Sequence, residues 1–239
     1  MQEWKQALGL AMFELKASLK GFLFVFLLYT LLALSVISTL GDSVSINHGI
    51  VDLLFLLAFG FVPLFMKPKE FQYQKDGDFW GLPFFIMLSQ LPITKKVLVQ
   101  SRFILYFIYS FPFQFLLLAL LYVLNADLQG MLSPLSYITF SIIWLSFGVY
   151  MGYMMPASDA GYKANTKKFV FDSIAQYGGS IALFVIYQYV FDYGIVYWTV
   201  IFAQKWPFLS LVLSIVLALF GCQYWKSYLK KKMGEIDYL

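Results

Sequence analysis

Charge is all but missing from six long stretches of this chain, and that limits what it can fold into. Phe22–Leu40, Ile50–Met66, Phe103–Leu124, Leu135–Met155, Ile174–Phe191 and Phe208–Trp225 contain Asp52 as their only charged residue. Each is close to the ~20 apolar residues that cross a hydrocarbon core of ~30 Å. In lipid the backbone must satisfy its own hydrogen bonds, and runs of this kind do so as helices. Barrel strands would alternate polar and apolar residues over about ten positions, and these runs do not. The expected fold is all-α, a polytopic membrane protein with six transmembrane helices. Composition agrees: of 239 residues, 61% are hydrophobic and only 13% charged, too few polar side chains to cover a water-soluble domain.

The basic residues then set a topology. With the N-terminus in the cytoplasm, all of the 17 except Lys205 fall on the cytoplasmic side, as the positive-inside rule requires. Six crossings return the C-terminus to the same side, beside Lys230, Lys231 and Lys232. The net charge of +4 therefore reads as a topology signal at a cell membrane, and no nucleic-acid partner is expected. A cleavable signal peptide is disfavoured, because the residues before Phe22 are too many and too amphipathic for a simple leader.

Two segments are neither spans nor simple loops. Residues 1–20 place Trp4, Leu8, Ala11, Met12, Leu15 and Leu19 at helical spacing, with Glu3, Gln6, Lys16 and Lys20 around the rest. This predicts an amphipathic helix lying in the inner membrane interface. Residues 192–207 are broken by Asp192 and Gly194 and rich in Tyr193, Tyr197, Trp198 and Trp206, which predicts a re-entrant or interfacial helix on the outer side. The competing reading is a seventh span, which would carry the Lys230–Lys232 cluster outside.

Catalytic and nucleotide-binding patterns are missing. There is no G-x-x-x-x-G-K-[ST] phosphate loop, no G-x-S-x-G and no H-E-x-x-H, so neither ATP binding of the P-loop kind nor an intramembrane hydrolase is supported. Cys222 is the only cysteine and His48 the only histidine, which leaves no cysteine or histidine metal set. The central parts of the spans hold no ionisable residue, which disfavours an ion-coupled carrier. Gln114, Gln176 and Gln188 are polar within spans, with helix packing the default role and pathway lining the sharper one. Gly148 and Gly152 form a small-xxx-small pair of the kind that seats a neighbouring helix.

The stretch from Trp80 to Phe103 carries the most specific signal. Pro83 and Pro92 each suit the first turn of a helix, and Phe84–Leu91 is an apolar run that needs a cover, either the membrane surface or a partner. Lys95, Lys96 and Arg102 would hold the next span at the inner headgroups. Leu91, Pro92, Ile93, Thr94, Lys95 and Lys96, followed by Val99 and Arg102, resemble a motif of ABC-2 type transporter permeases, the membrane subunits of ABC exporters. The order of parts along the chain is similar as well.

The resemblance implies one permease domain over residues 1–239, with 1–20 as connecting helix, 67–102 as cytoplasmic coupling region and 192–207 as outer gate. It implies docking of a separate ATP-binding subunit at Phe84, Phe85, Leu88, Leu91, Pro92, Lys95 and Lys96, and a second permease chain, identical or related, to complete a dimer. Gln114, Gln188, Tyr197 and Trp198 are the candidates for pathway or gate. No catalytic residue and no cofactor are expected in this chain, since ATP and magnesium would sit in the partner. The expected cargo is an amphipathic peptide or hydrophobic drug. The rival readings are an ATP-independent carrier or channel and a non-transporting scaffold or sensor subunit.

Overall fold

The computed structural model describes residues 2–40, 48–60, 74–77, 79–163 and 166–236. Its helices are α1 (Gln2–Ala17), α2 (Leu19–Leu40), α3 (His48–Gly60), α4 (Pro83–Ser89), α5 (Lys95–Leu124), α6 (Ala126–Met131), α7 (Pro134–Gly152), α8 (Met154–Ser158), α9 (Thr166–Val190), α10 (Ile195–Lys205) and α11 (Pro207–Glu235). Among the described residues four stretches are long and apolar enough to cross a membrane: Leu19–Ser38, Lys95–Leu124, Pro134–Ser158 and Pro207–Glu235. A fifth results if the bent pair Phe184–Val190 and Ile195–Lys205, which meet at 62°, counts as one span. These helices are compatible with a membrane location. The expected second span is described only as far as Gly60, and residues 61–73 of the expected second span and coupling region lie outside the described residues. So do residues 41–47 of the first expected outer loop and the side chains of His48 and Gln176.

The all-α expectation needs one correction. Strands β1 (Gln74–Asp76), β2 (Phe79–Gly81) and β3 (Tyr162–Lys163) form a small antiparallel sheet in the order β1-β2-β3. Gln74 pairs with Gly81 and Asp76 with Phe79, while Phe79 also faces Lys163. Gly77, at φ +56, supplies the left-handed turn residue of the hairpin. The signal was the Gly77-Asp78 pair, submerged in a chain that otherwise reads as helix. Gly161, at φ +79, lets the α8–β3 turn close on β2, where a Cβ would lie 2.4 Å from the Trp80 carbonyl oxygen.

Side chains sort by size as well as polarity. The face α1 turns inward holds Ala7, Ala11 and Glu14, continued by Ser18, and its large residues Trp4, Leu8, Met12 and Phe13 point outward. Helices meet closely where side chains are small, so the large apolar residues are left on the outside. The expected amphipathic helix is present, but of its apolar stripe Ala11 is fully buried and Leu15 packs partly against the core. The backbone ladder runs on across Ser18, whose amide bonds to Glu14 O at 3.0 Å and whose hydroxyl donates to the same carbonyl at 2.8 Å.

The same rule fixes α5 against α7. A Cβ at Gly148 would lie 2.7 Å from the Gln114 side-chain oxygen, and one at Gly152 would fall 1.8 Å from the Tyr106 hydroxyl oxygen. Both glycines thus seat α5 of the same chain. Two apolar clusters result. One joins α2, α3, α5, α7 and α10 around Phe55, Phe59, Phe113, Phe140 and Trp144. The other gathers Leu82, Phe85, Leu88, Leu98, Phe103, Tyr153, Leu229 and Met233 where α4, α8 and the end of α11 meet the start of α5.

Candidate functional site

The second cluster is built around the first turns of α5. Thr94 caps that helix, its hydroxyl accepting from Val97 N at 3.4 Å. The helix starts at Lys95, so Pro92 stands before the cap and not in a first turn, contrary to expectation. Pro83 does occupy the first turn of α4.

The basic residues that follow reach α11, α1 and the turn after α8. Lys95 donates to Met233 O in the last turn of α11 at 3.3 Å, where a cation suits the negative helix end. Lys96 pairs with Glu3 of α1 at 2.7 Å, and its ammonium holds the Glu3 carboxyl below its ordinary range. Arg102 is wholly buried, with Nη2 2.6 Å from Glu14 Oε2 on α1 and Nη1 3.9 Å from Asp159 Oδ2 after α8. Its guanidinium also lies 5.8 Å from the Phe84 ring centre and 5.9 Å from that of Phe85. Membrane headgroups are therefore not what holds Arg102, whereas Lys95 and Lys96 stay exposed. Arg102 sits inside protein, because its charge is met by carboxylates from two other segments and by aromatic faces.

The Glu14–Arg102 contact is an ion pair, not an aligned hydrogen bond: among the described residues neither Nη2 nor either carboxylate oxygen of Glu14 has a hydrogen-bond partner. One charge thus ties α1, α4, α5 and the α8 turn together. Sequence reading placed Arg102 at a boundary and missed Glu14 and Asp159. The available clue was Glu14 in register with Ala7 and Ala11, a carboxylate on a stripe of small residues.

Burial divides the expected docking residues. Phe85 is 0% exposed and Leu88 3%, so this chain itself covers them. Phe84 is half-buried and stacks on Phe13 of α1 at 6.1 Å. Leu91 is 47% exposed, Pro92, Lys95 and Lys96 are exposed, and the unforeseen Met87 is 49% exposed on the outer face of α4. The apolar run therefore has two sides, one rooted in the cluster and one open.

No known protein family, curated protein or solved structure matches this chain.

Of the pathway candidates, Gln188, Tyr197 and Trp198 meet around the α9–α10 junction and Gln114 stands apart. Gln114 is buried at the α3–α5–α7 junction, donating to Phe59 O at 3.0 Å. Gln188 at the end of α9 donates to Asp52 Oδ2 at 3.1 Å. On α10, Tyr197 stacks on Tyr193 at 4.8 Å and Trp198 meets the same ring edge-on at 6.2 Å. Two apolar grooves lie elsewhere. One of about 420 Å³ is bounded by Ser146, Tyr150 and Ser214, and one of about 340 Å³ by Phe115, Tyr122 and Tyr137. None of the four candidates lines either. Among the described residues no group of acidic, histidine or cysteine side chains could hold a metal ion.

Proposed function

We propose that this chain is the membrane-spanning permease subunit of an ATP-driven exporter of the ABC-2 type. It crosses the cell membrane six times with both termini in the cytoplasm, and it works with a separate ATP-binding subunit. A second permease chain, identical or related, completes the pathway. The observation that carries this reading is the two-sided α4, whose open face of Met87 and Leu91 stands on Phe85, Leu88 and the Arg102 ion pairs. A short helix held this way passes a push from a docked partner into α1 and α5 without deforming. The Leu91–Arg102 motif supports the same reading, since its cations fasten α1, α11 and the turn after α8 to the start of α5.

ATP closing its binding subunits would tilt α4, and α5, joined to it by the five residues 90–94, would tilt with it. The cargo proposed is an amphipathic peptide or hydrophobic drug, in keeping with apolar spans and little polar surface between them. The test is co-purification from detergent-solubilised membranes. An ATP-binding protein should accompany the wild type and be lost with Met87→Asp or Leu91→Asp, variants that change only exposed positions. If no ATPase accompanies the wild type, or if both variants retain it, the reading fails.

A further inference from the structure

At the opposite end of the bundle another buried charge does a different job. Asp52 of α3 is 1% exposed, and no Lys, Arg or His pairs with it among the described residues. Its carboxylate instead accepts three N–H donors: Ile195 N at 2.7 Å, Val196 N at 2.8 Å and Gln188 Nε2 at 3.1 Å. Ile195 and Val196 open α10, so Asp52 meets backbone amides that a helix start leaves without partners. It also lies at the positive end of that helix, where an anion is stabilised.

The approach depends on Gly194, the N-cap of α10, which has no side chain to cap with. A Cβ there would fall 2.7 Å from Asp52 Oδ2 and 2.8 Å from Oδ1. The usual capping side chain is thus replaced by one from another helix. Gln188 lies in the last turn of α9 and Ile195 starts α10, so the same carboxylate grips both arms of the 62° bend.

We propose that Asp52 is the latch of a gate formed by α10. In the structure described, the latch is closed: α10 is held at its start by Asp52, at mid-length by Trp144 Nε1 donating to Thr199 Oγ1 at 3.1 Å, and near its end by Gln204 donating to Met131 O at 2.7 Å. The gate opens when the Ile195 and Val196 amides leave the carboxylate, so that the first turn of α10 swings away from α3. The role of the latch in transport rests on the exporter reading. Its existence does not, and the two are tested apart.

The test uses the full chain in nanodiscs, with Cys222→Ala as background and Val200→Cys as reporter, since Val200 is buried on the inner face of α10. Labelling by a water-soluble maleimide should be slow with Asp52 present. It should rise about tenfold with Asp52→Asn, which turns an N–H donor towards one of the amides and so loses about one hydrogen bond to a charged acceptor. Gly194→Ala should have the same effect with the carboxylate retained, because its Cβ displaces Asp52. A reporter at the exposed Lys205 should label equally in every background. If Asp52→Asn protein is not monodisperse, Gly194→Ala decides alone. Unchanged Val200→Cys labelling in monodisperse Gly194→Ala protein overturns the latch, whether or not an ATPase co-purifies. Absence of an ATPase from the purified wild type, with accelerated labelling in the Asp52→Asn and Gly194→Ala variants, overturns the exporter reading and leaves the latch standing.

Discussion

Arg102 and Asp52 are both buried charges at helix junctions, yet they are neutralised by opposite means. Arg102 is met by full counter-charges, Glu14 and Asp159, carried on separate segments. Among the described residues Asp52 is met only by neutral N–H groups and a helix dipole. The difference teaches what each junction can do. Separating a buried guanidinium from its carboxylates leaves several uncompensated charges in a low dielectric, so the parts around Arg102 move together or not at all. Releasing α10 from Asp52 strands one carboxylate, and water at an opened helix end can take the place of the lost donors. The first junction suits transmission of a push, and the second suits opening and closing.

The largest expected effect tests the rigid junction. Arg102→Ala leaves Glu14 and Asp159 facing each other without a cation and should cost about 3–5 kcal/mol. Thermal unfolding of the detergent-solubilised protein, followed by tryptophan fluorescence, measures it. Arg102→Lys keeps the charge but lacks the planar fork that reaches both carboxylates, so it should recover only part of the loss. Full recovery would mean that charge alone suffices and that the junction needs no particular geometry.

Asp52→Asn comes next. Loss of one hydrogen bond to a charged acceptor is worth about 1.5–3 kcal/mol, so the same melt should show a smaller fall than Arg102→Ala. Equal falls would erase the distinction between the two junctions. Met87→Asp changes a surface position and should move stability by no more than about 0.5 kcal/mol while abolishing ATPase co-purification. A large destabilisation would show that the open face of α4 is in fact a buried one.

The smallest effect belongs to the exposed Lys96–Glu3 pair, screened by solvent on both sides. The Glu3 carboxyl is lowered from 4.5, first by the hydrogen bond from Lys96 and then by its charge, against a slight opposing effect of burial. A depressed folded-state value means that its stabilisation is complete above 4.5 and fades as pH falls through the lowered value. Glu3→Gln should therefore flatten the acid side of the melting profile slightly and leave the neutral side unchanged. A change confined to neutral pH would place the interaction elsewhere.

Much of the fold was legible because lipid imposes one dominant cost. Phe22–Leu40, Phe103–Leu124, Leu135–Met155 and Phe208–Trp225 could be drawn from the absence of charge alone and fall largely within helices long and apolar enough to cross a membrane, and Gly194 marked the break before α10. The candidate site was half legible. Its motif stood out, but Glu14, Asp159 and Asp52 looked like ordinary boundary residues, since each partner is distant in sequence. Arg102 is 88 residues from Glu14 and 57 from Asp159, and Ile195 is 143 from Asp52. No periodicity encodes such pairs.

Sequence by itself settled which segments are apolar enough to sit in a bilayer, because transferring a charge into hydrocarbon is costly whatever the neighbours are. It could not settle which face of each helix turns inward. On α1 the inward face is Ala7, Ala11 and Glu14 and the outward one Trp4, Leu8 and Met12, because close packing between helices selects small side chains once the surroundings are as apolar as the interior. Only the tertiary structure decided that three carboxylates would lie buried, and what would neutralise each of them.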